Sequence, residues 1–299
     1  MRIYKSSRLI ESVKRKGMLP ETQATFTDQD FLDFATEEID VAIVPLVLSF
    51  NEDYYLYVDK MPISTSNRYK IPHRAIGNKL KYVGVQTGDN ISTLFRIAFE
   101  DFYSNNYLPN NNYFYIENDE IVLTSNVISG DYIIMAYYLR PNALVPDEQM
   151  LRISNISGNT ITVNEGDLTL YSTANKIDFI SAESPNRLIK IDQPILSINT
   201  NNNQLTFSSI PSNVKVGDYI CFAEKTAIPQ IPLELQSLLT QRVLARCLEA
   251  LGSVQELQVA NAKIAEIEQK ITSLIDNRVE SNPRKIFGHK FRFGKRTLL

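Results

Sequence analysis

The sequence predicts an α+β protein in which helices from both ends of the chain form one core and a large antiparallel β region is inserted between them. Apolar residues recur with helical spacing before residue 45 and again after residue 231. Between these stretches, short apolar or alternating runs are separated by Asn, Gly, Ser and Pro, as in antiparallel sheets. The last seventeen residues hold six Lys or Arg, three Phe and no acidic residue, which is typical of an extended docking segment.

The net charge of −3 conceals an acidic body with two basic ends. Residues 17–282 carry 19 basic and 33 acidic side chains, whereas residues 1–16 carry six basic side chains and one acid, Glu11. The predicted divisions are N-terminal helices at 1–45, an inserted β-rich domain at 46–230, a C-terminal helix pair at 231–281 and a basic extended tail at 282–299.

Length and composition indicate a globular protein with a sizeable core. The longest apolar stretch, residues 41–50, is interrupted by Pro45 and is too short to span a bilayer. No apolar signal segment follows the basic N-terminus, so we expect no export. Cys221 and Cys247 lack metal-ligand spacing, and we expect both to be reduced core residues of an intracellular protein.

The N-terminal stretch predicts two helices. The first is capped by Ser6 or Ser7, places Leu9, Ile10 and Val13 on one side, and stops at Gly17. The second starts at Thr27, where Asp30 takes the position that Glu or Gln has in a capping box. Phe26 and Phe31 suit a hydrophobic staple across this start. The apolar stripe of the second helix consists of Phe31, Phe34, Ala35, Ile39, Ala42 and Ile43, and we expect Pro45 to end it.

The middle of the chain predicts short β-strands and one doubtful helix. The expected strands are 54–58, 82–86, 113–116, 121–124, 131–139, 160–163, 176–180, 187–191, 204–207 and 218–222. Residues 91–103 are expected to be helical. A Gly-Asp turn recurs at Gly130-Asp131 and Gly217-Asp218, where Gly supplies a positive φ and Asp binds nearby backbone amides.

The C-terminal stretch predicts two helices in succession. The first begins at Pro232 and stops at Gly252. The second carries an apolar seam that steps by three and four residues, as a heptad does. This seam packs either on its own domain or on a neighbouring subunit, and it consists of Leu257, Ala260, Ile264, Ile267, Ile271 and Leu274.

A search for catalytic patterns favours a protein that is not an enzyme. The chain has only two histidines, His73 in a loop-like setting and His289 in the basic tail. It has no phosphate loop, nucleophile elbow, dinucleotide fingerprint or zinc-binding helix motif. We therefore expect no catalytic residue, metal or cofactor. A glycan-cleaving enzyme would need acids from distant strands to converge, and no such pair can be named.

Three roles remain for the basic tail, which are docking on a partner protein, contact with nucleic acid, and a disordered solubilising segment. Phe291 and Phe293 alternate with Lys290, Arg292 and Lys295, which suits base stacking combined with phosphate contacts. The alternative is therefore a nucleic-acid-binding accessory protein, although its folded body is acidic. The same alternation also suits an extended strand that adds to the sheet edge of a partner protein. We favour docking on a protein partner.

Four stretches carry a resemblance to a known family. They are MLPETQATFTDQDFLDFATEEIDVAIVPLVLSFNEDYYLY (18–57), YYLRPNALV (137–145), VGDYICFAEKTAIPQIPLELQSLLTQRVLARCLEALG (216–252) and LIDNRVESNPRKI (274–286). With the layout of helices, β insertion, helix pair and basic tail, they resemble the head–tail connector proteins of tailed bacteriophages, the adaptor or ring proteins beneath the portal. The Asn-rich composition most resembles podovirus-type phages of the crAss-like group.

The resemblance implies a virion structural protein of the phage neck, between portal and tail, that is assembled in the host cytoplasm. Its implied partners are the portal protein, other neck, ring and tail proteins, further copies of itself in a dodecameric ring, and genomic DNA contacted non-specifically in the channel, with no membrane. The small helical adaptors of the family lack so large a β region, which here would meet further ring, tail or fibre proteins.

The resemblance also gives roles to particular residues. The portal-binding residues would be Arg278, Arg284, Lys285, Ile286, Phe287, Lys290, Phe291, Arg292, Phe293, Lys295 and Arg296. The helix-packing residues of the ring would be Leu257, Ile264, Ile267, Ile271 and Leu274.

Overall fold

The computed structural model confirms the α+β class. It describes residues 3–18, 25–64, 66–104, 112–123, 130–184 and 187–275, except the side chains of Asn78 and of residues 272–275. The helices are α1 (Ser6–Lys16), α2 (Asp28–Glu38), α3 (Val44–Phe50), α4 (Phe99–Tyr103), α5 (Gln236–Ala250) and α6 (Val254–Ile275).

The strands follow one another between α3 and α5. They are β1 (Leu56–Pro62), β2 (Arg68–Lys70), β3 (Ala75–Thr87), β4 (Asn90–Thr93), β5 (Phe95–Arg96), β6 (Tyr113–Glu117), β7 (Glu120–Leu123), β8 (Tyr132–Leu139), β9 (Ala143–Leu144), β10 (Leu151–Ser157), β11 (Thr160–Glu165), β12 (Lys176–Ile180), β13 (Leu188–Pro194), β14 (Ser197–Asn199), β15 (Gln204–Thr206), β16 (Tyr219–Phe222) and β17 (Lys225–Thr226).

The helical core joins both ends of the chain, because the apolar faces of α1, α2, α3, α5 and α6 share one cluster. Leu9 and Val13 of α1, Phe31 of α2 and Leu239 of α5 are fully buried in it. The start of α2 is as predicted. The Thr27 hydroxyl accepts from the Asp30 amide, and the Asp30 carboxylate accepts from the Thr27 amide.

The prediction that Pro45 ends the second helix was wrong. A π-helical turn, Ile39–Ile43, follows α2, and in it the Val44 amide donates to the Ile39 carbonyl. Proline disrupts a regular α-helix through its ring and its missing N–H. Here Pro45 lies in the first turn of α3, where neither defect is costly. The helical stretch therefore runs to Phe50, and the β region starts at β1 rather than at residue 46.

The helix C-terminus at Gly252 is confirmed, with a complete capping motif. Gly252 has a φ of +71°, which glycine adopts without a steric penalty. Its amide donates to the Glu249 carbonyl, and the Ser253 amide donates to the Leu248 carbonyl. These two bonds form a Schellman motif, which turns the chain sharply from α5 into α6.

The first β module (β1–β8) consists of two four-stranded sheets with one core between them. The sheet orders are β1-β8-β3-β4 and β2-β7-β6-β5. Ile133, Met135 and Tyr137 of β8 are fully buried in that core, together with Ile121 of β7. The opposite face of β8 carries Tyr138, which packs on the helical core.

The second β module (β10–β16) is one seven-stranded sheet with two apolar faces. Its strand order is β13-β12-β16-β10-β11-β15-β14. Phe179 of β12 and Ile220 of β16 lie on the inner face, where they join the main core of the module. Tyr219 and Cys221 of β16 lie on the other face, in a small cluster that Ile3 covers in part.

The prediction of a helix at 91–103 was wrong for most of its length. Residues 90–93 form β4, which pairs with residues 84–87 of β3 across a turn at Gly88, whose φ is +57°. Residues 95–96 form β5, and only Phe99–Tyr103 is helical. The hairpin satisfies the backbone groups locally, which the side-chain pattern of this stretch does not reveal.

The predicted Gly-Asp turns have the expected Asp contacts at both sites. The Asp218 carboxylate accepts from the Lys215 and Ala182 amides at 2.7 and 2.8 Å, and Asp131 accepts from the Gly88 amide at 2.7 Å. The expected positive φ occurs at Gly217, at +97°, but not at Gly130. The turns precede β8 of one sheet and β16 of another, so each marks the start of a strand.

Candidate interaction surfaces

The predicted portal-binding residues lie outside the described residues, as does His289. They are Arg278, Arg284, Lys285, Ile286, Phe287, Lys290, Phe291, Arg292, Phe293, Lys295 and Arg296. The described part of the chain ends at Ile275 in α6. Ile271 is 7% exposed and belongs to the helical core, so α6 is still packed one turn before that end.

The predicted ring-packing seam lies on the helical core of the same chain. Ile264 and Ile271 are buried there, and Leu257 and Ile267 pack against the same cluster. The side chain of Leu274 is not among those described. Packing on the chain's own domain is thus the observed arrangement, and packing between ring subunits stays a prediction.

Two apolar side chains of α6 outside the seam are exposed. Val254 is 64% exposed and Val259 is 56% exposed. A groove of about 340 Å³ adjoins Val259 where the end of α1 meets α5 and α6, and Leu244 and Leu248 also line it. Val254 and Val259 are five residues apart, so they lie on the two flanks of the seam and do not form one apolar face.

Three helices of the core are locked together by a network of ion pairs around Glu38. The Glu38 side chain is 7% exposed and accepts from Arg242 Nη1 at 3.0 Å and from Arg246 Nε at 2.6 Å. Arg242 also donates to Glu268 of α6. Because one partly buried network joins α2, α5 and α6, the part of α6 around Glu268 is fixed relative to the rest of the core.

A buried polar cluster (Arg74, Asn142, Asp178 and Asp192) joins the two β modules. The Arg74 side chain is 3% exposed and forms two parallel hydrogen bonds with the fully buried Asp178, at 3.0 and 2.7 Å. Arg74 also donates to Asn142 and lies 3.4 Å from Asp192. Arg74 belongs to the first module, whereas Asp178 and Asp192 belong to the second.

The connections into and out of the second module pair with each other. The parallel strands β9 and β17 form this two-stranded sheet. The Asn142 amide donates to Gln230 at 2.7 Å, and the Asn142 side chain donates to the Lys225 carbonyl at 3.1 Å. The two connections of the second β module are therefore hydrogen-bonded to each other and are not free linkers.

The first module and the helical core enclose a cleft of about 770 Å³. The cleft contains more cations than acids, with Lys79, Lys81 and Arg96 against Glu52. Lys81 and the Tyr138 hydroxyl both donate to Glu52, at 3.0 and 2.9 Å, and the bond from Lys81 contributes most to lowering the pKa of Glu52. The remaining lining residues are Leu48, Gly77, Leu80, Tyr82, Val83, Thr93, Leu94, Phe114, Ile116 and Asn118.

The described residues include one histidine, His73, and two free cysteines, Cys221 and Cys247. His73 contacts Glu224 at 2.5 Å, but both side chains are mostly exposed, and the hydrogen bond lowers the pKa of Glu224. Burial raises the pKa of Cys221 and of Cys247 to about 12, which keeps both thiols protonated near neutral pH. Within the described ranges, no three His, Cys, Asp or Glu side chains are arranged to hold a metal ion.

The helices in the described part of the chain do not include one with the length and apolar character required to cross a bilayer. Comparison with known proteins gives neither a family model nor a curated protein that matches the chain.

Sequence reasoning missed the Arg74 cluster and the cleft. Arg74 lies in a segment expected to be a loop, and Asp178 lies inside an expected strand. These local patterns give no sign that the two side chains, 104 positions apart, form an ion pair. A charged residue at the centre of an otherwise apolar strand, as in KIDFI at 176–180, was the one available signal, because such residues are buried only when paired.

Proposed function

We propose that this chain is a structural subunit of a phage neck ring that connects the portal to the tail, and that its C-terminal arm (residues 283–299) docks on the portal. The subunit would assemble as a homo-oligomer, a dodecamer in the neck of the virion, and would act without catalysis. The two β modules would present surfaces to other neck and tail proteins. This proposal rests on the family resemblance together with the geometry of the helical core.

The observation that supports it most directly is the fixation of α6. The helix packs on the core as far as Ile271, and Arg242 ties it to α2 through Glu268 and Glu38. A segment that follows a fixed helix is delivered to a defined place, which reduces the entropy cost of docking. Seventeen residues reach at most about 60 Å when extended, which is enough to cross a neighbouring subunit.

The chemistry of the arm suits a protein groove better than solvent. Its three Phe residues would supply buried anchors, and its six basic residues would pair with acids of the partner. Several basic residues near the start of the sequence lie on α1 instead, which belongs to the core. Tyr4 bonds to Thr240 at 2.8 Å, and Leu9 of α1 is fully buried.

The test is co-sedimentation of the purified protein with portal-bearing capsids. Deletion of residues 283–299 is expected to leave the far-UV circular dichroism of the body intact and to abolish attachment to capsids. Normal attachment of the truncated protein would overturn the assignment of the arm.

Two matched triple variants separate anchoring from charge. Replacement of Phe287, Phe291 and Phe293 by Ala is expected to abolish attachment at every salt concentration, because anchors at interface centres contribute about 1–3 kcal/mol each. The second variant changes Lys290, Arg292 and Lys295 to Gln. It should weaken attachment chiefly at low salt, where unscreened charges contribute most.

The alternative, a nucleic-acid-binding accessory protein, gives a different pattern in the same experiments. The full chain would then bind DNA tightly, with an affinity that falls steeply as salt rises, and the truncation would lose DNA binding without losing capsids. Failure of the full chain to bind DNA at low salt would remove this alternative.

A further inference from the structure

The cleft of the first β module lies beside a strand edge that no described strand covers. β4 pairs only with residues 84–87 of β3. β8 pairs with the other edge of β3 at Ala75, at Leu80 and at residues 82–86, with register shifts between these positions. Residues 77–82 of β3 therefore extend past the end of β4, and within the described part of the chain no strand lies beside them there. These residues line the cleft.

A second strand ends in the same way on the opposite sheet. β5 pairs with β6 only at Tyr113 and Phe114, so residues 115–117 extend beyond it. Phe114 and Ile116 also line the cleft. The cleft thus lies between two uncovered strand edges, one from each sheet of the module. Uncovered edges present unpaired N–H and C=O groups that can accept an additional strand.

Charge identifies the kind of strand that would fit. Lys81 is already paired with Glu52, whereas Lys79 and Arg96 are exposed and have no ion pair with any described residue. These two cations lie on β3 and β5, strands of different sheets, and both line the cleft. An occupant with carboxylates would neutralise both cations.

The walls of the cleft also favour a polypeptide chain. Tyr82 lies flat along its own strand, because Gly84 has no side chain: a Cβ at Gly84 would lie 2.4 Å from the Tyr82 hydroxyl. The Tyr82 hydroxyl accepts a hydrogen bond from Thr93 at 3.3 Å. The Tyr82 ring is therefore available beside the strand edge to side chains of an extended segment, whereas Leu80 lies on the other face of β3 and packs in part on the core of the module.

We propose that this cleft binds an extended acidic segment of a partner polypeptide, which adds a strand to residues 77–82 of β3 and places carboxylates against Lys79 and Arg96. This contact is independent of the docking of the C-terminal arm, and it gives the first β module a binding function of its own.

The test uses the full chain and a short fluorescein-labelled peptide of alternating Glu and Thr, followed by fluorescence anisotropy at low salt. The same peptide with Lys in place of Glu should not bind. A third peptide keeps every carboxylate but has N-methylated amides, which cannot pair with a strand edge, and it is also expected not to bind. Equal binding of the methylated peptide would overturn strand addition.

Lys79→Glu is expected to weaken binding of the Glu-Thr peptide about five- to tenfold, the effect of an unfavourable charge at a partly exposed site. The matched control is Lys176→Glu, which reverses an exposed lysine on β12 of the other module. Equal weakening by both variants would refute the cleft as the binding site.

Hydrogen exchange then locates the added strand. Peptide binding is expected to protect amides within residues 77–82, whereas protection confined to 115–117 would overturn the assignment to β3. A single-stranded oligonucleotide that displaces the peptide and binds more tightly would assign the cleft to nucleic acid instead, and would also overturn the proposal.

Discussion

Replacement of Asp178 by Ala is expected to destabilise the protein by about 3–5 kcal/mol, because it leaves the buried guanidinium of Arg74 without its main partner. The Asp178 side chain is fully buried and accepts five hydrogen bonds. Two come from Arg74, at 3.0 and 2.7 Å, and one comes from the Asn142 side chain, at 2.7 Å. The backbone amides of Asp192 and Glu224 donate the other two, at 2.9 and 3.2 Å.

The magnitude depends on what remains around Arg74. Asp192 stays 3.4 Å from the guanidinium, but its side chain is 27% exposed, so it compensates only in part. Asn142 and two backbone amides also lose an acceptor, and each unsatisfied buried donor costs about 1–3 kcal/mol before water enters. For a chain of this length, a loss of 3–5 kcal/mol corresponds to a decrease in Tm of about 6–10 °C.

A double-mutant cycle separates the ion pair from simple loss of packing. Arg74→Met with Asp178→Leu removes both charges and leaves neither one buried alone. The free energy of unfolding that the double variant loses should be at least about 2 kcal/mol smaller than the sum of the losses measured for Arg74→Met and Asp178→Leu alone. Urea unfolding is suited to the measurement, followed by far-UV circular dichroism and by tyrosine fluorescence, since the chain has 15 Tyr and no Trp.

Two results would refute the reasoning. One is a decrease in the free energy of unfolding of less than about 1 kcal/mol for Asp178→Ala, which would mean that water readily solvates the Arg74 guanidinium. The other is additivity within about 0.5 kcal/mol, which would mean that the two charges do not interact. Coincident transitions by the two spectroscopic probes would establish that a single free energy of unfolding describes the chain.

Three further predictions concern the helical core and the second β module. Glu38→Ala should lower the free energy of unfolding, measured in urea, by about 1–3 kcal/mol, because Arg242 and Arg246 lose a buried carboxylate and keep only more exposed partners, which are Glu268, Glu37 and Glu249. Glu37→Ala, at the exposed neighbouring position, should change it by at most about 0.5 kcal/mol. Gly166→Ala should be more destabilising than Gly217→Ala: both have a positive φ, but a Cβ at Gly166 would lie 2.4 Å from the Met150 carbonyl oxygen and one at Gly217 would meet nothing. Equal thermal shifts for the two glycine variants would contradict this ranking. The Cys221 thiol, with its pKa raised to about 12 by burial, should resist alkylation at pH 8 in the folded protein and react once urea unfolds it, and rapid labelling of the native state would contradict the burial.

Several helix boundaries and the strands with local punctuation could be predicted from the sequence. The predictions of a serine cap for α1 and of a start of α5 at Pro232 were wrong, because α1 follows Lys5 without a side-chain cap and α5 starts at Gln236 after a 3-10 turn. The capping residues Thr27 and Asp30 and the stop at Gly252 act through bonds to neighbouring backbone groups, so their signal is local. The expected strand at 176–180 matches β12, because alternating apolar residues end at clear turn residues.

The secondary-structure predictions were wrong where packing between distant residues outweighs the local conformational preference of the sequence. Pro45 lies inside a continuous helical stretch, because a π-helical turn precedes it and burial of Val44 and Val47 holds α3 on the core. β10 was not expected as a strand, although it lies at the centre of the seven-stranded sheet. Its register with β11 is interrupted by bulges near Ile153, and a bulge breaks the period of two that a sequence pattern needs.

The sequence by itself determined the α+β class, the helical segments at both ends and the composition of the basic arm, because periodicity, capping and charge are properties of neighbouring residues. Only the tertiary structure decided that the seam of α6 packs on the core of its own chain, how Arg74 meets Asp178 across 104 positions, and where β3 extends past β4 to leave an uncovered edge. Each of these depends on contacts between residues far apart in the chain. No local pattern records such contacts, because their free energy appears only once the sheets and helices have packed.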